Sequence, residues 1–207
     1  MKYTIVALIA ATLFSTVAYA EIDGEILMQP MLKGYKLGWQ NINSERSWKE
    51  YVPEGETVDN WTTMVTTQIF FKMTQVTPPE FLQGLAHRWG GACPNAKLDA
   101  FLPNMPKPAG MYSAQSNGYP ISMMFLRCPE NPQTHKPENT LVRAMQGKDS
   151  FYVVQYAFKF EPTQEQIGHA MDYLKTVIAC DTRTADHPCP NLAAQGFKKI
   201  ERSPNAH

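Results

Sequence analysis

The sequence predicts an α+β fold, a mainly antiparallel β-sheet packed by two principal helices and stapled by disulfides. Three observations carry this. The first is a strand–turn–strand pattern from Leu141 to Phe160, with Gly147-Lys148-Asp149 at the turn. In its second arm Tyr152, Val154, Tyr156, Phe158 and Phe160 alternate on one face without a polar interruption. The opposite face mixes Phe151, Val153 and Ala157 with Gln155 and Lys159, and so predicts a partly wet side. The second is a pair of capped amphipathic helices. Thr163 and Gln166 are spaced as a capping box ahead of Ile167, Met171, Leu174, Val177 and Ile178, which share one helical face. Thr77 and Glu80 are spaced the same way around Pro78-Pro79, ahead of Phe81, Leu82, Leu85 and Trp89, with Gly90-Gly91 as the expected stop. The third is the cysteine count.

Residues 1–20 read as a signal peptide rather than as part of the fold. Lys2 gives a short basic start, Ile5 to Phe14 an apolar run too short to span a bilayer, and Ala18-Tyr19-Ala20 a small-x-small cleavage site. The expectation is a protein exported to the periplasm or secreted, with no stable membrane anchor. Loss of Lys2 leaves 18 basic residues against 19 acidic ones. A chain so close to neutral, without a basic block, gives no electrostatic reason to expect nucleic acid or an anionic membrane surface as a partner.

In an exported protein, Cys93, Cys128, Cys180 and Cys189 read as two disulfides with three possible connectivities. Cys180–Cys189 is the natural local pair, which leaves Cys93–Cys128. The absence of CxxC gives a redox role no support.

Taken in order, residues 21–33 have no period and read as a flexible lead-in to a single domain over 34–195. Tyr35, Leu37 and Trp39 alternate in a first strand, and Ser47 to Val52 supplies its partner. Thr57 to Lys72 is rich in β-branched residues and reads as a long strand. After the first helix a proline-interrupted loop runs to Gly110, with a short strand around Leu98 to Leu102. Met111 to Gln115 and Pro120 to Arg127 form a hairpin around Asn117-Gly118. Cys128 to Asn139 reads as a polar connection, and residues 196–207 as a disordered tail.

Chemistry is sparse. No pair among His87, His135, His169, His187 and His207 has metal-ligand spacing, so no metal or cofactor is expected. There is no Gly-x-Ser-x-Gly elbow and no phosphate-cradling glycine loop. The carboxylates Glu50, Glu54, Glu56 and Asp59 cluster around one turn; with His87 or His135 they define a hydrolase reading, set against a solvated loop. The least bland feature is aromatic: Trp39, Trp48, Trp61 and Trp89, with Tyr35, Tyr51 and Tyr112, crowd the first half. Such rings serve as core or as binding surface. The candidate ligand-binding residues are His87, Arg88 and Trp89, which mark a groove beside the double glycine of the first helix, together with Trp61 and Tyr112. The favoured reading is a non-catalytic exported domain that binds a protein partner or small ligand. An inhibitor or immunity-type protein differs from it only in the partner.

The segments EYVPEGETVDNWTTMVTTQ (residues 50–68) and AMQGKDSFYVVQYA (residues 144–157) resemble an uncharacterised family of small exported bacterial proteins. The element order is loosely similar to photosystem-accessory and Mog1-type α-β-α sandwiches. The first resemblance implies export, the second a layered fold; neither implies an activity.

Overall fold

A computed structural model describes residues 20–99, 111–190 and 197–199. Its elements are β1 (Ala20–Ile22), β2 (Glu25–Met28), β3 (Tyr35–Ile42), β4 (Arg46–Pro53), β5 (Thr63–Phe71), α1 (Pro78–Ala92), β6 (Lys97–Asp99), β7 (Met111–Ser116), β8 (Tyr119–Asn131), β9 (Lys136–Gln146), β10 (Ser150–Phe158), α2 (Gln164–Thr176), β11 (Ile178–Asp181) and β12 (Phe197–Lys199). The main sheet is antiparallel throughout, in the order β3-β4-β5-β10-β9-β8. Two short strands, β6 and β7, divide the outer edge of β8 between them.

The α+β class stands, with one refinement. The two helices lie on opposite faces of the sheet, so the layers are three. Tyr152, Val154 and Phe158 pack under Ala170 and Leu174 of α2, with Tyr156 and Phe160 partly buried alongside. The opposite face, expected to be partly wet, buries Phe151 and Val153 with Met124, Leu126, Val142 and Ala144 under Leu82 of α1. It is open only further along, where Gln155 and Lys159 are half-exposed. A helix is about 10–12 Å across and strands are spaced about 4.8 Å, so one helix covers little more than two strands. α1 lies over β8 and β9, and the rest of that face must be closed by other means.

Both helices begin at the capping boxes read from sequence, with Thr77 paired to Glu80 and Thr163 to Gln166. Their ends differ from expectation. α1 runs through Gly90 and Gly91 to Ala92, because Cys93 caps it with an N–H donated to the Trp89 carbonyl and is fixed there by its bond to Cys128. α2 stops at Thr176: Val177 is its cap, and Ile178 opens β11 instead of a further helical turn.

The hairpin at Asn117-Gly118 is present, with both residues at positive φ as its turn requires. The polar stretch Cys128 to Asn139 is not a connection. β8 and β9 continue through most of it as a long hairpin, with a register shift between Cys128 and Asn131. Thr57 to Thr62 precedes β5 as turn and loop. At the far edge, β3 is almost wholly exposed, and its register with β4 shifts between Leu37 and Trp39. A Cβ on the intervening Gly38 would come within 2.9 Å of Val58 Cγ1.

The lead-in contains a strand that sequence reading missed. β2 pairs antiparallel with β11, and the Glu25 carboxylate accepts from the backbone N–H groups of Lys148, Asp149 and Ser150 and from the Tyr152 hydroxyl. Likewise Phe197–Lys199, assigned from sequence to a disordered tail, pairs parallel with Ala20–Ile22. The rest of that tail, residues 1–19 of the expected signal peptide, and Ala100 to Leu102 of the expected short strand lie outside the described residues.

Both disulfides, Cys93–Cys128 and Cys180–Cys189, are formed. The second closes a turn around Asp181, which is buried and bonded by the Arg183 guanidinium, itself shared with Asp149. The Arg183 hydrogen bonds hold the Asp181 carboxyl below its ordinary pKa. A depressed carboxylate contributes stability that is complete above its unfolded pKa of about 3.9 and is lost as pH falls through the folded value. Urea midpoints of the native chain are therefore expected to fall more steeply below about pH 4 than those of Asp181→Asn. Parallel curves for the two would show that the pair does not couple to folding.

Candidate functional site

The open part of the α1 face holds a cavity of about 280 Å³. Its floor is sheet: Trp48 and Glu50 of β4, Met64 and Thr66 of β5, Gln155 and Ala157 of β10, Glu138 and Thr140 of β9. Trp89 closes one side from α1, while Val58 and Trp61 close another from the loop before β5. The floor residues alternate in their strands with residues buried under α2. Period-two geometry therefore puts them on the α1 face, beyond that helix's reach.

Three indoles and two carboxylates thus meet in one concavity. The Trp48 and Trp89 Nε1 atoms are buried and meet no acceptor at hydrogen-bonding geometry. Burial raises the Glu50 carboxyl above its ordinary pKa of 4.5, and the nearby Trp48 N–H offsets part of that rise. Glu138 accepts from Asn131 Nδ2 at 2.8 Å. The rings are held in place from outside the cavity. Trp39 meets Trp48 edge to face at 5.8 Å, Arg46 stacks on Trp48 at 5.3 Å, and the Lys159 ammonium sits 4.4 Å from the Trp61 centroid.

Of the residues singled out from sequence, Trp61 and Trp89 come together here. Tyr112 does not: it lines a different cavity, on the α2 face. His87 and Arg88 are exposed on α1 and line neither cavity. The carboxylates also separate. Glu50 enters the cavity, Glu54 and Asp59 are exposed, and Glu56 accepts from the backbone and hydroxyl of Thr62. His135 lies on an exposed turn against Glu130, so neither histidine of the hydrolase reading lines the cavity beside Glu50. His187 is buried against the Tyr119 ring, 4.0 Å between centroids, with Nδ1 2.9 Å from the Asn117 carbonyl. Among the described residues no group of three or more His, Cys, Asp and Glu is placed to hold a metal ion.

Trp48, Glu50 and Glu138 were missed as members of one site because they reach it from two strands, β4 and β9, that are far apart in the chain. The one available signal was local: Trp48-x-Glu50 at strand spacing puts an indole and an acid on the same face.

No protein-family model matches the chain, and no curated relative does. Among solved structures the chain is distantly similar to a mutant of the protein Mog1, at 10% identity and a TM-score of 0.38, over 73% of this chain and 85% of that one. Among the described residues, no helix is long and apolar enough to cross a membrane.

Proposed function

We propose that this is an exported, non-catalytic domain, periplasmic or secreted after cleavage near Ala20, that binds a small organic cation in the tryptophan-lined cavity beside α1. The observation that carries this reading is the meeting of three indoles with Glu50 and Glu138 around an open concavity of about 280 Å³. Indole faces attract a desolvated cation by about 2 kcal/mol each in favourable geometry. A half-buried carboxylate adds a charge that the surrounding sheet screens poorly. The Trp89 N–H, which meets no acceptor in the fold, suits a ligand that also carries one, such as a hydroxylated ammonium.

Titration calorimetry with choline and tetramethylammonium, against sodium chloride at equal ionic strength, tests it. Saturable binding of the ammonium ions is expected, at least tenfold weaker in Trp61→Leu and in Glu50→Gln, a loss of about 1.4 kcal/mol. The sign of the Glu50 shift adds a discriminating control. A carboxyl whose pKa is raised in the fold opposes folding when charged, so Glu50→Gln is expected to leave stability at pH 7 unchanged or higher while weakening the ligand. Affinity is expected to fall on acidification, beginning above pH 4.5, as Glu50 takes up its proton. Equal heats for choline and sodium, or undiminished binding in Glu50→Gln, would refute the proposal.

A further inference from the structure

The opposite face of the sheet carries a second and larger cavity, of about 400 Å³, between the β7–β8 hairpin and α2. Its chemistry is reversed. Ile121, Met123 and Met171 form apolar walls, Ser116 and Lys175 stand among its polar lining residues, and Arg143 lines it from the middle of β9. Arg143 is 2% exposed, among the largest fully buried side chains in the protein. Its Nη1 donates to the Leu174 carbonyl in the last turn of α2, where the helix dipole presents partial negative charge. Its Nε has no hydrogen-bond partner.

An unpaired buried cation is costly. Removing a charge from water without a counter-charge costs several kcal/mol even after relaxation, and one carbonyl returns little of it. Burial, with no charged partner contributing, draws the guanidinium pKa down to about 10, still well within its charged range at neutral pH. Among the described residues the buried Asp181 is treated differently, met by the Arg183 guanidinium, and even the half-buried Glu25 has four donors. The exception is the one that borders a cavity.

From this geometry we infer that the α2-face cavity binds a small amphipathic carboxylate, its headgroup on Arg143 and its apolar body between Met123, Ile121 and Met171. A planar guanidinium fork matches a carboxylate in two-point contact. The apolar walls and the lone buried cation favour a monoanion with a hydrocarbon tail over a compact multiply charged anion. Lys175 brings little further charge, because its ammonium is paired with Asp172 at 2.9 Å. This site is independent of the tryptophan cavity and stands whatever that cavity binds.

Titration calorimetry on the full mature chain tests the inference with sodium octanoate, 1-octanol and inorganic phosphate as probes. Octanoate is expected to bind saturably, at least tenfold more tightly than either of the others. Arg143→Met, which keeps length and apolar fit but removes the charge, is expected to weaken octanoate at least tenfold. It is also expected to raise the thermal midpoint of the unliganded protein, as replacement of a buried charge by an apolar side chain often does. Met171→Trp keeps the guanidinium and fills the cavity; it is expected to abolish octanoate binding while leaving choline titrations unchanged. It also decides the matter should Arg143→Met fail to fold. Octanol binding as tightly as octanoate, phosphate binding more tightly, or octanoate binding undiminished in a folded variant would each overturn the assignment.

Discussion

Alanine at Glu25 is expected to lower the unfolding free energy by about 3 kcal/mol. The carboxylate of this residue gathers three backbone N–H groups from the turn between β9 and β10, together with the Tyr152 hydroxyl. The Lys148 and Asp149 donors are exposed and can turn to water. The Ser150 N–H and the Tyr152 hydroxyl are part-buried and cannot do so freely. A hydrogen bond to a charged group contributes about 1.5–3 kcal/mol, so two lost at the low end give the figure above. Tyr152 is 2% exposed, and both burial and the Glu25 charge raise its pKa, so its hydroxyl stays a donor. Glutamine is expected to recover only part of the loss, because its amide nitrogen would face backbone donors. Denaturant unfolding measures both variants. A loss below about 1 kcal/mol for Glu25→Ala would mean that β2 is held by its strand pairing alone.

Removing the Cys93–Cys128 bond, as the paired alanine variant, is expected to cost about 3–4 kcal/mol of stability. The bond closes a loop with a sequence separation of 35, and chain entropy in the unfolded state gives roughly 3.8 kcal/mol for that length. A local consequence distinguishes this loss from a uniform one. Cys93 caps α1 by donating to the Trp89 carbonyl at 2.8 Å, and Trp89 is a wall of the tryptophan cavity. Choline affinity is therefore expected to drop in the variant under conditions where it is still folded, whereas octanoate affinity is not. Unchanged unfolding energy, or equal loss at both cavities, would contradict this account.

The parts of the fold that were legible in the sequence are those whose signals are local. Thr77 with Glu80 and Thr163 with Gln166 fix helix starts within four residues, and Asn117-Gly118 fixes a hairpin by its φ requirement alone. What escaped was held by distant partners. β2 is four residues long, too short to show a period, and owes its place to β11 and to a turn more than 120 positions away. The stop expected at Gly90-Gly91 failed because the Cys93 N–H, in a residue tied to Cys128, caps the helix further on. The mixed face of β10 is partly wet as its residues indicate, but nothing in β10 itself reports that α1 covers the Phe151 and Val153 end. The candidate site was legible in two of its rings, Trp61 and Trp89. Glu50 was visible only as one of a cluster of turn acids. Arg143, inside the apolar run Leu141 to Met145, is the kind of interruption that a strand pattern hides: period-two reading assigns it a buried face but cannot show the cavity beside it.

The free edge of β3 has a consequence for how the chain behaves in a crowded compartment. A strand paired on one side only among the described residues, bearing Leu37, Trp39 and Ile42 toward solvent, offers a template on which further copies can stack into fibrils. The offset between Leu37 and Trp39 breaks the even spacing that such stacking needs, and Gly38 permits it because no larger residue fits against Val58. A single missing side chain thus guards the molecule against self-templated growth.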